Sequence, residues 1–171
     1  MHKNITKYFF IGFLFYGAAA FQASAKKESA EIVFSMSVPR PSCSVSVESS
    51  RNLGELEKGV QEHSDFPVNV KCSGSVRHAL TAEPVVRRGL QPDNERIFVP
   101  IGERSPSGAG PFLSLRDEKG STIKLTGKKG DAFCTSTDDD DSCYITPVTE
   151  VTESSPVGKG SVAIRFNVVY L

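Results

Sequence analysis

The chain has 171 residues, 39% of them hydrophobic and 9% aromatic, and its 20 Lys and Arg are balanced by 20 Asp and Glu. Without a basic excess, nothing suggests the electrostatic attraction on which nucleic-acid and anionic-membrane binders rely. The length suits one domain with a real core.

Residues 1–25 read as a secretory signal peptide. Lys3 and Lys7 form a basic start, Tyr8 to Phe21 is apolar, and Ala23-Ser24-Ala25 offers a small-residue cleavage site. The apolar run is short and broken by Gly12 and Gly17, so a spanning helix is the weaker reading. Cleavage leaves residues 26–171, with a slight acidic excess and no second long apolar run.

From there, short alternating segments follow one another. They are Ile32 to Val38, Cys43 to Val47, Phe66 to Cys72, Arg96 to Ile101, Phe112 to Leu115, Thr122 to Leu125, Tyr144 to Val148, and Val162 to Tyr170. Turn signals separate them at Pro39/Pro41, Asn52/Gly54, Pro92-Asp93-Asn94, Ser105 to Gly108, Gly127 to Gly130 and Pro156/Gly158. No stretch sustains a 3.6-residue period with caps at both ends. The pattern predicts an all-β antiparallel sandwich.

Two ends of this series carry the strongest patterning. Near the start, Ile32, Phe34, Met36 and Val38 share one face of an extended segment. At the other end Val162, Ile164, Phe166, Val168 and Tyr170 form one row, continued backwards by Gly160 and Gly158, while Ala163, Arg165 and Asn167 form the other. Period-two alternation of this length predicts a strand with one buried face, whose backbone must still find a neighbour.

All four cysteines, Cys43, Cys72, Cys134 and Cys143, lie in the exported part. An even count in an exported chain reads as disulfides, and four cysteines allow three pairings. Cys43 and Cys72 each adjoin a predicted strand, and Cys134 and Cys143 are close in sequence, so Cys43–Cys72 and Cys134–Cys143 are expected. A zinc site is disfavoured by the lack of any C-x-x-C pair and by only two histidines after residue 25, His63 and His78.

Other chemistry finds little support. Asp138 to Asp141 lacks the alternate spacing and glycine of a calcium loop and reads as a solvated tip. Glu62-His63-Ser64-Asp65 contains suggestive letters, but a nucleophile, base and orienter normally meet from separate segments. Gly127-Lys128-Lys129-Gly130 lacks phosphate-loop spacing. No cofactor, metal or catalytic residue is expected.

Taken together, the residues resemble the pilin subunits of the chaperone–usher pathway. The resemblance rests on Phe34 nine residues before Cys43, on Leu53-Gly54, and on Phe66-Pro67-Val68-Asn69-Val70-Lys71-Cys72. It rests equally on Tyr170 as penultimate residue and Gly158 as fourteenth from the end. It covers both ends of the exported chain and leaves roughly residues 75 to 157 unmatched.

The resemblance implies an incomplete immunoglobulin-like β-sandwich that lacks its last strand and receives one from another molecule. It divides the chain into the signal peptide, a donor-strand extension over residues 26–42, and a pilin domain over residues 43–171. Ile32, Phe34, Met36 and Val38 are then the donor row, and Gly158, Val162, Ile164, Phe166, Val168 and Tyr170 the chaperone- and groove-facing row. The implied partners are a periplasmic pilus chaperone, an outer-membrane usher and neighbouring pilin subunits, and the implied destination is a cell-surface fimbria supporting adhesion. Met36 stands where pilins usually carry glycine, which implies a minor subunit with a particular neighbour. The competing reading is a self-contained, disulfide-bonded secreted sandwich that binds a ligand or acts as a small hydrolase.

Overall fold

The computed structural model describes residues 31–38, 40–102 and 109–171. The expected signal peptide, Lys26-Lys27 and the Ser105 to Gly108 turn lie outside the described residues. The chain divides into two units, Met1–Ser37 and Val38–Leu171. In the first, residues 31–37 carry no regular structure, and Ile32, Phe34 and Met36 are exposed.

Within the second unit nine strands form two antiparallel sheets, and no α-helix occurs among the described residues. The strands are β1 (Cys43–Ser46), β2 (Gly59–Glu62), β3 (Phe66–Cys72), β4 (His78–Pro84), β5 (Arg96–Phe98), β6 (Phe112–Arg116), β7 (Phe133–Ser136), β8 (Asp140–Val151) and β9 (Ile164–Tyr170). One sheet runs β1-β3-β8-β6-β5, with β2 also paired to β8; the other runs β7-β4-β9. The fold is an incomplete immunoglobulin-like sandwich, all-β as the alternation predicts.

Alternation explains β3 directly. Phe66, Val68 and Val70 are buried, whereas Pro67, Asn69 and Lys71 are exposed, so one face meets the core and the other water. β4 behaves differently. Its residues His78 to Ala82 are all buried, so both of its faces are covered. That continuous burial hides the period-two signal. Between the sheets lies one core, built from Phe66, Val68, Val70, Leu80, Ala82, Ile97, Leu113, Leu115, Ile123, Leu125, Cys143 and Ile145.

Thr122 to Leu125 departs from expectation. It contributes Ile123 and Leu125 to the core, but it makes only a bridge from Thr122 to Arg116 and single backbone bonds, from Ile123 N–H to Leu115 and from Leu125 N–H to Asn94. Its apolar residues are covered without a ladder to hold them in a strand. The expected Arg96 to Ile101 strand ends at Phe98, with a further bridge at Ile101. The acidic run also differs from a free tip. Asp139 C=O accepts the Cys72 N–H at 2.7 Å, and Asp140 and Asp141 open β8 opposite Lys71 and Val70.

Disulfides join Cys43 to Cys72 and Cys134 to Cys143. The first links the paired strands β1 and β3, and the second ties β7 of one sheet to β8 of the other. Closing loops of 29 and 9 residues of sequence separation restricts the unfolded chain by about 3–4 and about 2.5–3 kcal/mol respectively on the chain-entropy model.

Candidate functional site

The last strand carries the site. β9 pairs with β4 in antiparallel register, setting Val168 opposite Leu80 and Phe166 opposite Ala82. Directly opposed residues point to the same face, so these four side chains look into the same core. Leu80 and Ala82 are completely buried, whereas Ile164, Phe166 and Val168 are only half-buried, as is Val162 just ahead of the strand. All four of the latter pack against the core cluster. The difference lies in neighbours: β4 has β7 on its other side, and β9 has no second partner among the described residues.

Backbone geometry gives the same result. Val85 N–H donates to Ala163 C=O and Leu171 N–H to Arg77 C=O, framing the ladder at both ends. Hydrogen-bonded and non-bonded pairs alternate in an antiparallel ladder. Arg165, Asn167 and Val169 therefore bond to β4, and Ile164, Phe166, Val168 and Tyr170 turn their N–H and C=O groups to the open side. One set of residues thus offers both half-covered apolar side chains and unpaired backbone groups. The open edge is 7 residues long, about 23 Å at strand rise.

Across this edge stands the opposite sheet. Tyr170 is exposed as a side chain, yet its hydroxyl accepts the Cys43 N–H at 2.8 Å, which places the start of β1 across from the end of β9. Val45 of β1 and Leu53 beyond it are half-buried against the core. At the other end the Phe66 and Phe166 rings meet edge to face, 6.2 Å apart. Between these contacts Val168 is only half-buried, and this partly covered row along the β9 edge is the candidate groove.

Gly158 and Gly160 shape the approach to the strand rather than the groove itself. Gly158 has φ +146°, and a Cβ there would stand 2.8 Å from Ile101 Cγ2. At Gly160 a Cβ would stand 2.5 Å from Pro100 O, where a bridge to Ile101 brings the backbones together. Only a glycine passes so close.

The residues expected to be inert for catalysis are dispersed. Glu62 pairs with Arg116, His63 Nε2 lies 2.8 Å from Thr149 Oγ1, and Ser64 binds Arg51. They face three different neighbours and form no catalytic set. The sulfurs of Cys43 and Cys72 lie close to a ring nitrogen of His78, but they are bonded to each other, which leaves no thiolate pair for a metal. His78 is completely buried, with Nδ1 2.9 Å from Val76 O, and its Nε2 has no partner among the described residues.

Charged side chains act elsewhere, on the far edge of the larger sheet. Arg96 bridges Asp93 and Glu150, each at 2.9 Å, over the Phe112 ring. Burial pushes the Asp93 carboxyl up, but hydrogen bonds from the Glu95 and Arg96 N–H groups and from the Arg96 side chain outweigh it and hold the group below its usual value. Arg51 is a strongly bound cation near the candidate groove, and sequence reasoning missed it because its partners, the Ser64 and Asp65 carbonyls, the Ser64 hydroxyl and Glu48, form no motif.

Two antiparallel sheets around one core, with apolar residues along the free edge of β9, make an immunoglobulin-like sandwich. Solved structures agree. The chain is similar to the rod subunit PapA of the P pilus, at 16% identity and a TM-score of 0.53, over 75% of this chain and 99% of that one. It is also similar to a subunit in the structure of a chaperone–usher pilus that addresses rod uncoiling, at 18% identity and a TM-score of 0.51, over 85% and 97% of the two chains. Both neighbours are structural subunits of pili, not enzymes. No protein-family model matches the chain, and no curated protein does.

Proposed function

We propose that this chain is a structural subunit of a bacterial surface pilus, assembled by exchange of donor strands. The observation that carries the reading is the open edge of β9, where half-covered apolar side chains and unpaired backbone groups belong to the same residues. An edge of this kind is an aggregation hazard unless another strand covers it. Strand addition satisfies both needs, with main-chain hydrogen bonds supplying affinity and alternate side chains supplying selectivity.

The occupant is a strand from a second protein, first the periplasmic chaperone and then the extension of the next subunit. Ile32, Phe34, Met36 and Val38 supply this chain's own extension. They are exposed and alternate along an irregular segment, so they are available to a neighbour's groove. Residues 1–25 direct export, the outer-membrane usher receives the chaperone-bound subunit, and the finished fibre supports adhesion. The division into extension (26–42) and pilin domain (43–171) follows from these roles.

Deleting residues 26–38 tests the reading in cells. The shortened chain should still be recovered from the periplasm bound to its chaperone, because the groove is intact. It should fail to cross-link to the subunit that normally receives its extension. Normal fibre incorporation of the deleted chain would refute the donor role.

A further inference from the structure

Near the groove, Arg51 is bound more extensively than any other charged side chain. Its Nη1 donates to Glu48 Oε1 at 2.6 Å, and its Nη2 to Ser64 O at 2.9 Å, Ser64 Oγ at 2.7 Å and Asp65 O at 3.0 Å. The guanidinium also lies over the Phe66 ring, 5.4 Å from its centre. Phe66 is the core ring that meets Phe166 of the open strand. Arg51 therefore covers the side chain on which one end of the groove is built.

The position follows from the topology. β1 leaves β3 after the Ser46–Asn69 pair, so Phe66 to Val68 have no β1 partner along that edge. The connection from β1 to β2 runs past this gap. Among its described residues, 47–58, no backbone–backbone hydrogen bond ties it to the body. What fastens it is Arg51, the half-buried Leu53, a bond from Glu57 N–H to the Gln61 side chain and, at its far end, an ion pair from Lys58 to Glu153. An open depression of about 390 Å³, lined by Glu48, Arg51, Leu53, His63 and Ser64 among others, lies against it.

We propose that Arg51 is a latch that holds this connection against the Phe66 end of the groove and thereby slows the arrival of a strand beside β9. The latch is a positioning element: it regulates entry and does not contact the finished β9 backbone. Its fork of donors to two carbonyls and a hydroxyl must open before the connection swings away, and bonds of a charged group are the stronger kind. The proposal rests on the strand-receiving reading given above, and the experiment separates the two.

The probe is a fluorescent synthetic peptide of residues 28–40, added to the exported protein, with anisotropy followed in time. Arg51→Ala should take up the peptide about ten- to hundredfold faster than the native chain, the range expected for losing charge-assisted hydrogen bonds from the closed state. Arg51→Lys, which keeps the charge and loses the fork, should fall between and serves as the test should Arg51→Ala not fold. Once filled, all three should melt within a few degrees of one another, which a merely structural role would not produce. Equal uptake rates with a lower melting point for the filled variants would overturn the latch and leave the strand-receiving site standing. Absence of uptake by every version would overturn the latch, and the strand-receiving reading falls with it only if a peptide of a neighbouring subunit's extension is refused as well.

Discussion

Replacing Phe166 with alanine separates a groove-facing side chain from an ordinary core residue. In the open domain Phe166 is half-buried, packed against the core on one side and meeting the Phe66 ring edge-on. Truncating a fully buried Phe costs about 3–5 kcal/mol. A half-covered ring forfeits about half of that, so Phe166→Ala should destabilise the open domain by about 2 kcal/mol. With a strand laid along β9, the same ring becomes fully buried and the loss rises to about 4 kcal/mol. The difference, about 2 kcal/mol, is a ~30-fold weaker hold on the incoming strand. Urea unfolding of the open chain, and of a version with the donor segment fused after Leu171, measures both losses directly. Arg165→Ala, on the exposed face of the same strand, should change either form by less than about 0.5 kcal/mol. Equal losses from Phe166→Ala in the open and filled forms would show that the ring is already in its final environment and refute the reasoning.

Gly160→Ala should lower stability by about 1–3 kcal/mol, since its Cβ would meet Pro100 O at 2.5 Å, and a melting point unchanged within error would contradict that contact. The Asp93 carboxyl is held below its ordinary value, so its stabilising contribution is complete above about pH 4 and is lost as pH falls through the lowered value; Asp93→Asn should flatten the acid limb of the stability curve, measured by denaturant unfolding between pH 2 and 6. Replacing Cys134 and Cys143 together with serine removes the tie between sheets and should cost about 2–3 kcal/mol in the same unfolding assay, whereas an unchanged midpoint would mean the link adds nothing.

The reach of the sequence follows burial. Where one face meets the core and one meets water, as in β3, alternation marks the strand and its inward residues. In β9 it marks the strand itself, though Asn167 and Val169 are half-buried like Phe166 and Val168, and Tyr170 is exposed. It fails for β4, whose His-Ala-Leu-Thr-Ala run is covered on both faces, and for β7 and β2, whose four residues each are too short for a period to show. Core apolar residues at Thr122 to Leu125 looked like a strand because burial, not pairing, selects them. For the site, the row from Val162 to Tyr170 was legible because its outward and inward residues differ in kind. The open side of that row was expected only through the resemblance to pilins, since a missing neighbour leaves no mark on the strand that lacks it. Arg51 was not legible, since it acts through the carbonyls of Ser64 and Asp65, groups that every residue carries.

The most direct test of a strand-receiving edge is to supply the strand. Residues 28–40 are fused after Leu171 through a short flexible linker, and thermal unfolding and solution mass are compared with those of the unfused chain, both made without a chaperone. Filling the edge of β9 in cis should give a stable monomer, while the unfused chain aggregates or melts well below it. If the unfused chain is instead monomeric and as stable as the fusion, the sandwich is already complete and the account is contradicted.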